Sequence, residues 1–241
     1  ISVSAFLLNR SSDLLVPFPD VADKLDISAC MYAAKDVGGD FYDFFRIDND
    51  RIGFVMADVS GKGIPAAIFM AVSRTILRTT AIQGMSPSEC VTRSNSLISK
   101  ESYESMFVTV FYGIYDIRTG EITYVNAGHN PPCILKKNGT VEELPQSMNL
   151  MVGILDGFEY PEDKCKLEPG DTLFTFTDGV TEAMSADFQM YSDARLHRTL
   201  SGMAADSCQQ IIDTIKADIA THTKGAEQSD DITMLVLKRL Q

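Results

Sequence analysis

Short apolar runs alternate with polar residues in the first part of the chain and are separated by turn residues, a pattern typical of β-strands. Strands are predicted at residues 27–34, 41–47 and 52–57. Pro65 then begins a helix in which apolar residues recur at helical spacing up to about residue 82. A second helix is predicted from Ser86 to about residue 100.

The second half of the chain repeats both patterns. Residues 181–228 are predicted to be helical in pieces, with the clearest helix at 208–220. Strands are predicted at 107–116, 121–126, 132–136, 140–144, 172–177 and 232–237. Because hairpin turns are frequent and βαβ crossovers are scarce, the pattern predicts antiparallel sheets covered by helices, an α+β fold.

The first residues are weakly patterned. Residues 1–25 contain apolar clusters followed by Pro17 and Pro19, and they are predicted to form an N-terminal arm or linker helix. Residues 26–241 are predicted to form one folded domain. The first residue is Ile rather than Met, so an upstream domain is expected as well.

Composition and charge narrow the classes of partner. The 33 acidic residues outnumber the 21 basic ones, giving a formal net charge of −12. Nucleic-acid binding usually requires a basic surface, and none is indicated here, so nucleic acid and anionic membranes are not expected as partners. The apolar runs are also shorter than the roughly 20 residues that a membrane-spanning helix needs.

The five cysteines are widely spaced, and no C-x-x-C motif occurs among them. The spacing therefore predicts neither a zinc site nor a disulfide scaffold, and reduced thiols in a cytoplasmic protein are expected. His197 and His222 lie in polar, helical segments and are predicted to be surface residues.

Four segments combine a β-prone run with an aspartate beside a tight turn. Their aspartates are Asp40, Asp58, Asp178 and Asp230. Each alone could cap a turn or a helix, as aspartates often do. If the four converge, each close pair repels by about 4 kcal/mol, so a cation is needed, and oxygen donors favour Mg²⁺ or Mn²⁺.

Five strings of residues make the pattern specific. The strings span residues 37–233 and read VGGDFYD, ADVSGKG, NAGHNPP, TDGVTEA and SDDIT. In order and spacing they resemble the motifs of the metal-dependent protein phosphatase (PPM) family, in its bacterial SpoIIE/RsbU-like branch. The resemblance implies an αββα sandwich of two antiparallel sheets flanked by helices. It also implies a serine/threonine phosphoprotein phosphatase, in which a hydroxide bridging two Mn²⁺ or Mg²⁺ ions attacks phosphorus in line.

The resemblance assigns roles residue by residue. Asp58 matches the aspartate that bridges both metals, and the carbonyl of Val59 matches the neighbouring ligand. Asp178 and Asp230 match the ligands of the later motifs, while Asp40 matches an acidic residue that holds one metal partly through water. Asp231 remains an alternative to Asp230, or a residue that supports the ligands.

Lys62 and His129 are further candidates in the same motifs. Lys62 could contact the substrate phosphate near a helix N-terminus, although a solvated turn lysine is an equal alternative. His129 could serve as a general acid, but a turn histidine placed by the proline-rich loop is preferred. The branch often has glycine in the stretch after TDGVTEA, whereas residues 184–200 contain none.

The resemblance also implies a biological setting. The expected substrate is a phosphorylated STAS-type anti-sigma-factor antagonist in bacterial partner-switching signal transduction. Segment 1–25 and the helix after Pro65 are expected to be regulatory elements at a homodimer interface. The alternatives are a non-catalytic regulatory module that retains the fold and a metal-dependent hydrolase of another phosphoester.

Overall fold

The computed structural model describes residues 21–35, 37–101 and 106–241. Most of the predicted N-terminal arm, residues 1–20, lies outside the described residues. The chain divides into two compact units. The described part of unit 1 contains Lys35–His129, without the gaps named above, and Gln146–Lys166. Unit 2 contains residues 21–34, Asn130–Pro145 and Leu167–Gln241.

Unit 1 is built on a five-stranded antiparallel sheet with the strand order β2-β3-β4-β5-β8. Its strands are β2 (Phe41–Arg46), β3 (Arg51–Val59), β4 (Val108–Asp116), β5 (Glu121–Ala127) and β8 (Asp163–Lys166). Two helices, α1 (Ile64–Ala81) and α2 (Pro87–Glu101), belong to the same unit. Helix α1 contacts β2 and β3, whereas α2 contacts β4 and β5.

The helices of unit 1 form because their apolar faces bury against this sheet. Phe69, Met70 and Leu77 lie on one face of α1 and are buried in the core cluster of the unit. Pro65 occupies the first turn of α1, where the missing N–H group has no helical partner to lose. The core of unit 1 thus fixes the ends of β2 and β3 beside the start of α1.

Unit 2 has its own five-stranded antiparallel sheet, with the order β1-β10-β9-β6-β7. Its strands are β1 (Leu25–Tyr32), β6 (Cys133–Leu135), β7 (Val141–Glu143), β9 (Thr172–Phe176) and β10 (Ile232–Arg239). Its helices are α3 (Asp178–Thr181), α4 (Asp193–Ser201) and α5 (Cys208–His222). The buried face of α5 packs on β1 and β10.

The start of α5 is defined by a capping box. The side chain of Ser207 accepts a hydrogen bond from the backbone N–H of Gln210, and the Gln210 side chain accepts one from the backbone N–H of Ser207. Two N–H groups that would otherwise lack helical partners are satisfied in this way. The cap and the buried face explain why this was the clearest helix in the second half of the sequence.

The structure confirms the predicted α+β class and the antiparallel pairing of the described strands. The prediction missed β8, whose residues Asp163 to Lys166 are largely exposed and charged. An edge strand of this kind carries no apolar run by which a sequence pattern could identify it. Asp178, predicted to follow a strand directly, lies in the first turn of the short helix α3. In the described part of the chain, no helix is long and apolar enough to cross a membrane.

Candidate metal centre

Two of the predicted aspartates occupy neighbouring positions at one edge of the unit 1 sheet. Strands β2 and β3 pair so that Phe41 faces Ala57. Asp40 directly precedes Phe41 and Asp58 directly follows Ala57, so the same register places the two aspartates opposite one another. Asp40 is buried, with 2% of its surface exposed, and Asp58 is half-buried. The edge therefore holds two carboxylates with little access to water.

A close backbone contact brings the predicted carbonyl ligand to the same edge. A Cβ atom added to Gly39 would lie 3.0 Å from the carbonyl oxygen of Val59 and 3.8 Å from the Cβ of Ala66. A side chain at this position would press on the Val59 carbonyl, and the neighbouring backbone would have to move by a few tenths of an ångström. This contact explains why a glycine precedes Asp40, and it places the Val59 carbonyl beside the segment that carries Asp40.

The turn after β3 is fixed by hydrogen bonds and by two glycines. The Ser60 N–H donates to the Phe107 carbonyl at 2.9 Å, and the Phe107 N–H donates to Ser60 Oγ at 2.9 Å. Gly61 and Gly63 have φ angles of 87° and 83°, in the left-handed region that favours glycine. Lys62 lies exposed between them, immediately before α1.

His129 is buried and held by the loop that follows β5. Its backbone N–H donates to Asn126 Oδ1 at 2.8 Å, and its carbonyl accepts from Asn126 Nδ2 at 3.0 Å. Its ring Nδ1 is 2.8 Å from Thr109 Oγ1, which also donates to the Asp58 carbonyl at 3.4 Å. The Asn126 side chain thus holds the backbone of His129 in this turn.

In unit 2, the ends of β9 and β10 bring the other predicted aspartates close in space. The Thr177 N–H donates to the Thr233 carbonyl at 3.1 Å, and the Thr233 N–H donates to Thr177 Oγ1 at 3.1 Å. A Cβ atom added to Gly179 would overlap the Asp231 carbonyl oxygen. The first turn of α3, which begins with Asp178, therefore packs directly on the backbone of Asp230 and Asp231.

The neighbouring carboxylates of Asp230 and Asp231 have different surroundings. Asp231 is buried, and its Oδ1 accepts a hydrogen bond from the Ala34 N–H at 2.8 Å. Asp230 is half-buried, and its Oδ1 accepts from the Asp231 N–H at 2.9 Å. The carboxylate of Asp231 thus anchors the segment after β1, whereas that of Asp230 is the more accessible of the two.

Each unit therefore carries aspartates at the ends of adjacent strands. Carboxylates so close to one another repel unless protons or cations compensate their charge. In each unit, the predicted ligands offer only oxygen atoms, a donor type that suits hard divalent cations such as Mg²⁺ and Mn²⁺.

The two helical histidines differ from their prediction as simple surface residues. His197 is half-buried, and its Nε2 lies 3.0 Å from Glu143 Oε1 and 3.4 Å from Cys133 Sγ. His222 is also half-buried, and its Nδ1 lies 3.0 Å from Arg195 Nη1. The sequence pattern could not reveal these contacts, because the partners come from distant parts of the chain.

The family is established by comparison with known proteins. A family model described as stage II sporulation protein E (SpoIIE) matches residues 48–240. The chain belongs to the SpoIIE family. The predicted resemblance to the SpoIIE/RsbU-like branch of the metal-dependent protein phosphatases is thereby confirmed.

Two relatives show similarity along nearly all of this SpoIIE-family chain. Protein IcfG of Synechocystis sp. is 32% identical over 253 residues, covering 94% of this chain and 39% of that protein. Phosphoserine phosphatase RsbU of Bacillus subtilis is 32% identical over 219 residues, covering 90% of this chain and 64% of that protein. The chain thus spans less than two thirds of the length of either relative.

Solved structures of the PP2C type match this chain over most of its length. The PP2C phosphatase domain of SpoIIE from Bacillus subtilis, solved with a fragment of its regulatory domain, matches with a TM-score of 0.78 at 21% identity. The match covers 89% of this chain and 63% of that chain. RsbX, crystallised in complex with magnesium, matches with a TM-score of 0.68 at 16% identity over 90% of this chain and 96% of that chain. The family is metal-dependent.

Proposed function

We propose that this chain is a metal-dependent serine/threonine phosphoprotein phosphatase. The observation that carries the proposal is the SpoIIE-family match over residues 48–240, a range that includes three of the four aspartate segments. The fourth segment, with Asp40, lies opposite Asp58 in the β2–β3 register. A non-catalytic module would be expected to have lost some of these acidic residues, and this chain keeps all four.

The proposed metal ligands are Asp40, Asp58, the Val59 carbonyl, Asp178 and Asp230. Their oxygen donors fit two Mn²⁺ or Mg²⁺ ions. Asp40 is buried, and a bound cation would stabilise its charged carboxylate there. When bound, the ions would supply Lewis-acid activation of water and orientation of the phosphate. Asp231 has a supporting role in the proposal, since its carboxylate holds the Ala34 backbone.

Lys62 is proposed to contact the substrate phosphate. It is exposed in the turn after β3, and the N-terminus of α1, which has no side-chain cap, follows it directly. A helix N-terminus favours anions, and a lysine next to it adds a positive charge. We expect Lys62→Gln to raise KM for a phosphopeptide severalfold with a smaller effect on kcat.

The proposed substrate is a phosphoserine or phosphothreonine of a STAS-type protein in a partner-switching pathway. The name of the relative RsbU, phosphoserine phosphatase, supports the phosphoserine assignment. The formal charge of −12 makes a polyanionic substrate such as nucleic acid unfavourable.

Homodimer formation through segment 1–25 and α1 is a further part of the proposal. Ile64, Ile68 and Val72 lie on one exposed stripe of α1, with exposures of 70%, 61% and 37%. Such a stripe is costly in water and is typical of a surface that another helix covers. Light scattering of the wild type and of an Ile68→Glu variant would measure the oligomeric state directly.

The central experiment measures phosphate release by the 241-residue chain from a phosphoserine peptide in the presence of Mn²⁺. We expect activity that a chelator abolishes and that Asp58→Asn reduces by at least about 10³-fold, since Asp58 would hold both ions. Asp163→Asn is the matched control, because Asp163 is an exposed aspartate at the edge strand β8.

Wild-type activity in Asp58→Asn, or metal-independent turnover, would refute the proposed centre. Hydrolysis of nucleotides with no hydrolysis of phosphopeptides would favour the alternative of another phosphoesterase. Phosphorylated STAS proteins offered as competing substrates would then rank the proposed physiological class against generic phosphopeptides.

A further inference from the structure

A cluster of three potential metal ligands lies in unit 2, among residues that the proposed phosphatase centre does not use. It consists of Cys133 on β6, Glu143 on β7 and His197 on α4. The three ligand atoms, Sγ, a carboxylate oxygen and a ring nitrogen, all lie within 4.8 Å of one another. We propose that this cluster binds a single Zn²⁺ ion.

Two of the three distances between ligand atoms are close to those of a tetrahedral zinc site. Zinc lies about 2.3 Å from a thiolate and about 2.0–2.1 Å from an imidazole, so two such ligands in a tetrahedral site are separated by about 3.5 Å. The Cys133 Sγ and His197 Nε2 atoms are 3.4 Å apart, and Nε2 lies 3.0 Å from Glu143 Oε1. One ring nitrogen thus faces both other ligand atoms. A neutral imidazole nitrogen has only one proton or one lone pair to offer, whereas a cation would engage all three atoms.

The surrounding structure holds the ligands in place. Cys133 and Glu143 are direct partners in the β6–β7 pairing, so their side chains leave the hairpin side by side. A Cβ atom added to Gly139, in the hairpin turn, would lie 2.9 Å from the carbonyl oxygen of Ser201 at the end of α4. The hairpin therefore packs closely on the helix that carries His197. Metal binding would then cost little further conformational entropy.

Charge balance also favours a divalent cation. On binding, the S–H proton leaves to solvent and a zinc–sulfur bond forms. One thiolate and one carboxylate would then neutralise the two positive charges of the ion, with no net charge left at the site.

The ligand types separate this site from the phosphatase centre. Thiolate and imidazole select zinc and similar borderline metals, whereas the all-oxygen set of aspartates selects Mg²⁺ or Mn²⁺. Excess Mg²⁺ would therefore not compete at Cys133. With three protein ligands, the fourth position is left to water on the side of Glu143, whose side chain is 47% exposed. The sequence did not indicate this site, because its ligands are 10 and 54 residues apart in the chain and form no C-x-x-C motif.

The test uses Co²⁺ as a spectroscopic substitute for zinc. The 241-residue chain is held in excess Mg²⁺ and titrated with Co²⁺ while near-ultraviolet absorbance is recorded. Only a thiolate ligand produces a sulfur-to-cobalt charge-transfer band, and no aspartate can. We expect one equivalent of Co²⁺ to produce this band and an added equivalent of Zn²⁺ to remove it.

Variants connect the band to the three residues. Cys133→Ser is expected to abolish it, and His197→Ala and Glu143→Gln to weaken Co²⁺ affinity at least about tenfold. Cys165→Ser and His222→Ala are the matched controls, since they remove a cysteine and a helical histidine outside the cluster. Should Cys133→Ser fail to fold, the two variants at less buried positions decide the test. A wild type without the band, or a band of equal strength in His197→Ala and Glu143→Gln, would overturn the proposal.

Discussion

At the residue scale, the adjacent carboxylates of Asp230 and Asp231 have different hydrogen-bond partners. The SDDIT string predicted a ligand at Asp230 or Asp231 but could not separate them, since both have the same chemistry. In the structure, the Asp231 carboxylate accepts a hydrogen bond from the Ala34 N–H, whereas Asp230 is less buried than Asp231. Hydrogen bonds to residues almost 200 positions away are invisible to a sequence pattern.

This difference leads to a paired prediction. Asp230→Asn is expected to reduce Mn²⁺-dependent turnover at least about 10²-fold with little change in unfolding free energy. Asp231→Asn is expected to lower the unfolding free energy by about 1–2 kcal/mol, because a charge-assisted hydrogen bond in a buried site is weakened. Activity assays and urea denaturation of both variants measure the two effects. The opposite pattern would make Asp231 the ligand.

A second residue-scale feature lies in the stretch where the branch often carries glycine. Phe188 and Ser192 have positive φ angles of 59° and 70°. Ser192, with ψ of 154°, occupies a region of backbone space that is essentially restricted to glycine. Ser192 thus adopts a backbone conformation that glycine would adopt at a lower energetic cost.

We therefore expect Ser192→Gly to raise the unfolding free energy by about 1 kcal/mol, the relief of strain exceeding the added entropy of the unfolded chain. Ser201→Gly is the control, because Ser201 has helical backbone angles at the end of α4 and glycine should destabilise it. Thermal or urea unfolding measures both. A loss of stability in Ser192→Gly comparable to that in Ser201→Gly would contradict the strain argument.

At the scale of elements, helices and strands with a clear apolar period were predicted within a few residues, as for α1 and α5. The charged edge strand β8 was missed, because its pairing with β5 and not its own composition makes it a strand. Contacts between elements were also unpredictable. Asp218 on α5 receives hydrogen bonds from Arg195 Nη2 at 2.6 Å and from Tyr191 Oη at 2.7 Å.

The link between α4 and α5 gives a pH-dependent prediction. Hydrogen bonding from Arg195 lowers the pKa of Asp218 from its ordinary value of 3.8 to about 2. A depressed pKa stabilises the folded state above the unfolded value, and this contribution is lost as the pH falls from about 4 towards 2. Asp218→Asn should therefore lower the unfolding free energy by about 1 kcal/mol at pH 7, a figure reduced for partial solvent exposure. This loss should become progressively smaller below pH 4.

Urea unfolding of wild type and Asp218→Asn at pH 7, 4 and 2.5 measures this convergence. Asp213→Asn is the control on the same helix, since Asp213 is exposed and contacts only Gln209 in the hydrogen bonds described. A stability difference for Asp218→Asn that stays constant across this pH range would show that the carboxylate charge is not responsible.

At the scale of the whole molecule, the order of elements and the antiparallel class followed from the sequence, but the division into two units did not. Each unit is assembled from separate stretches of the chain, and unit 2 combines the start, the middle and the end. Strand β10 lies between β1 and β9, so the last strand is an interior strand of its sheet. Apolar periodicity reports that a strand is buried, but not which strand lies beside it.

Deletion of residues 232–241 is therefore expected to abolish cooperative folding of unit 2, because it removes both pairings of β10 and buried core residues such as Met234 and Val236. Near-ultraviolet circular dichroism and limited proteolysis would detect the loss. Removal of Gln241 alone is the control, since it follows β10 and is exposed. A truncated chain with the thermal midpoint of the wild type would contradict the central role of β10.

The pairing of β1 with β10 also has a consequence during synthesis on the ribosome. Leu25 pairs with Arg239, and Tyr32 with Ile232. About 200 further residues must therefore be synthesised after β1 before its partner strand exists. At about 5–20 residues per second, that interval is on the order of 10–40 s. The described strands of unit 1 are all present once residue 166 has emerged, whereas β1 stays without its partner and exposes a strand edge. A nascent chain of this protein would therefore depend on chaperones chiefly for its first described strand.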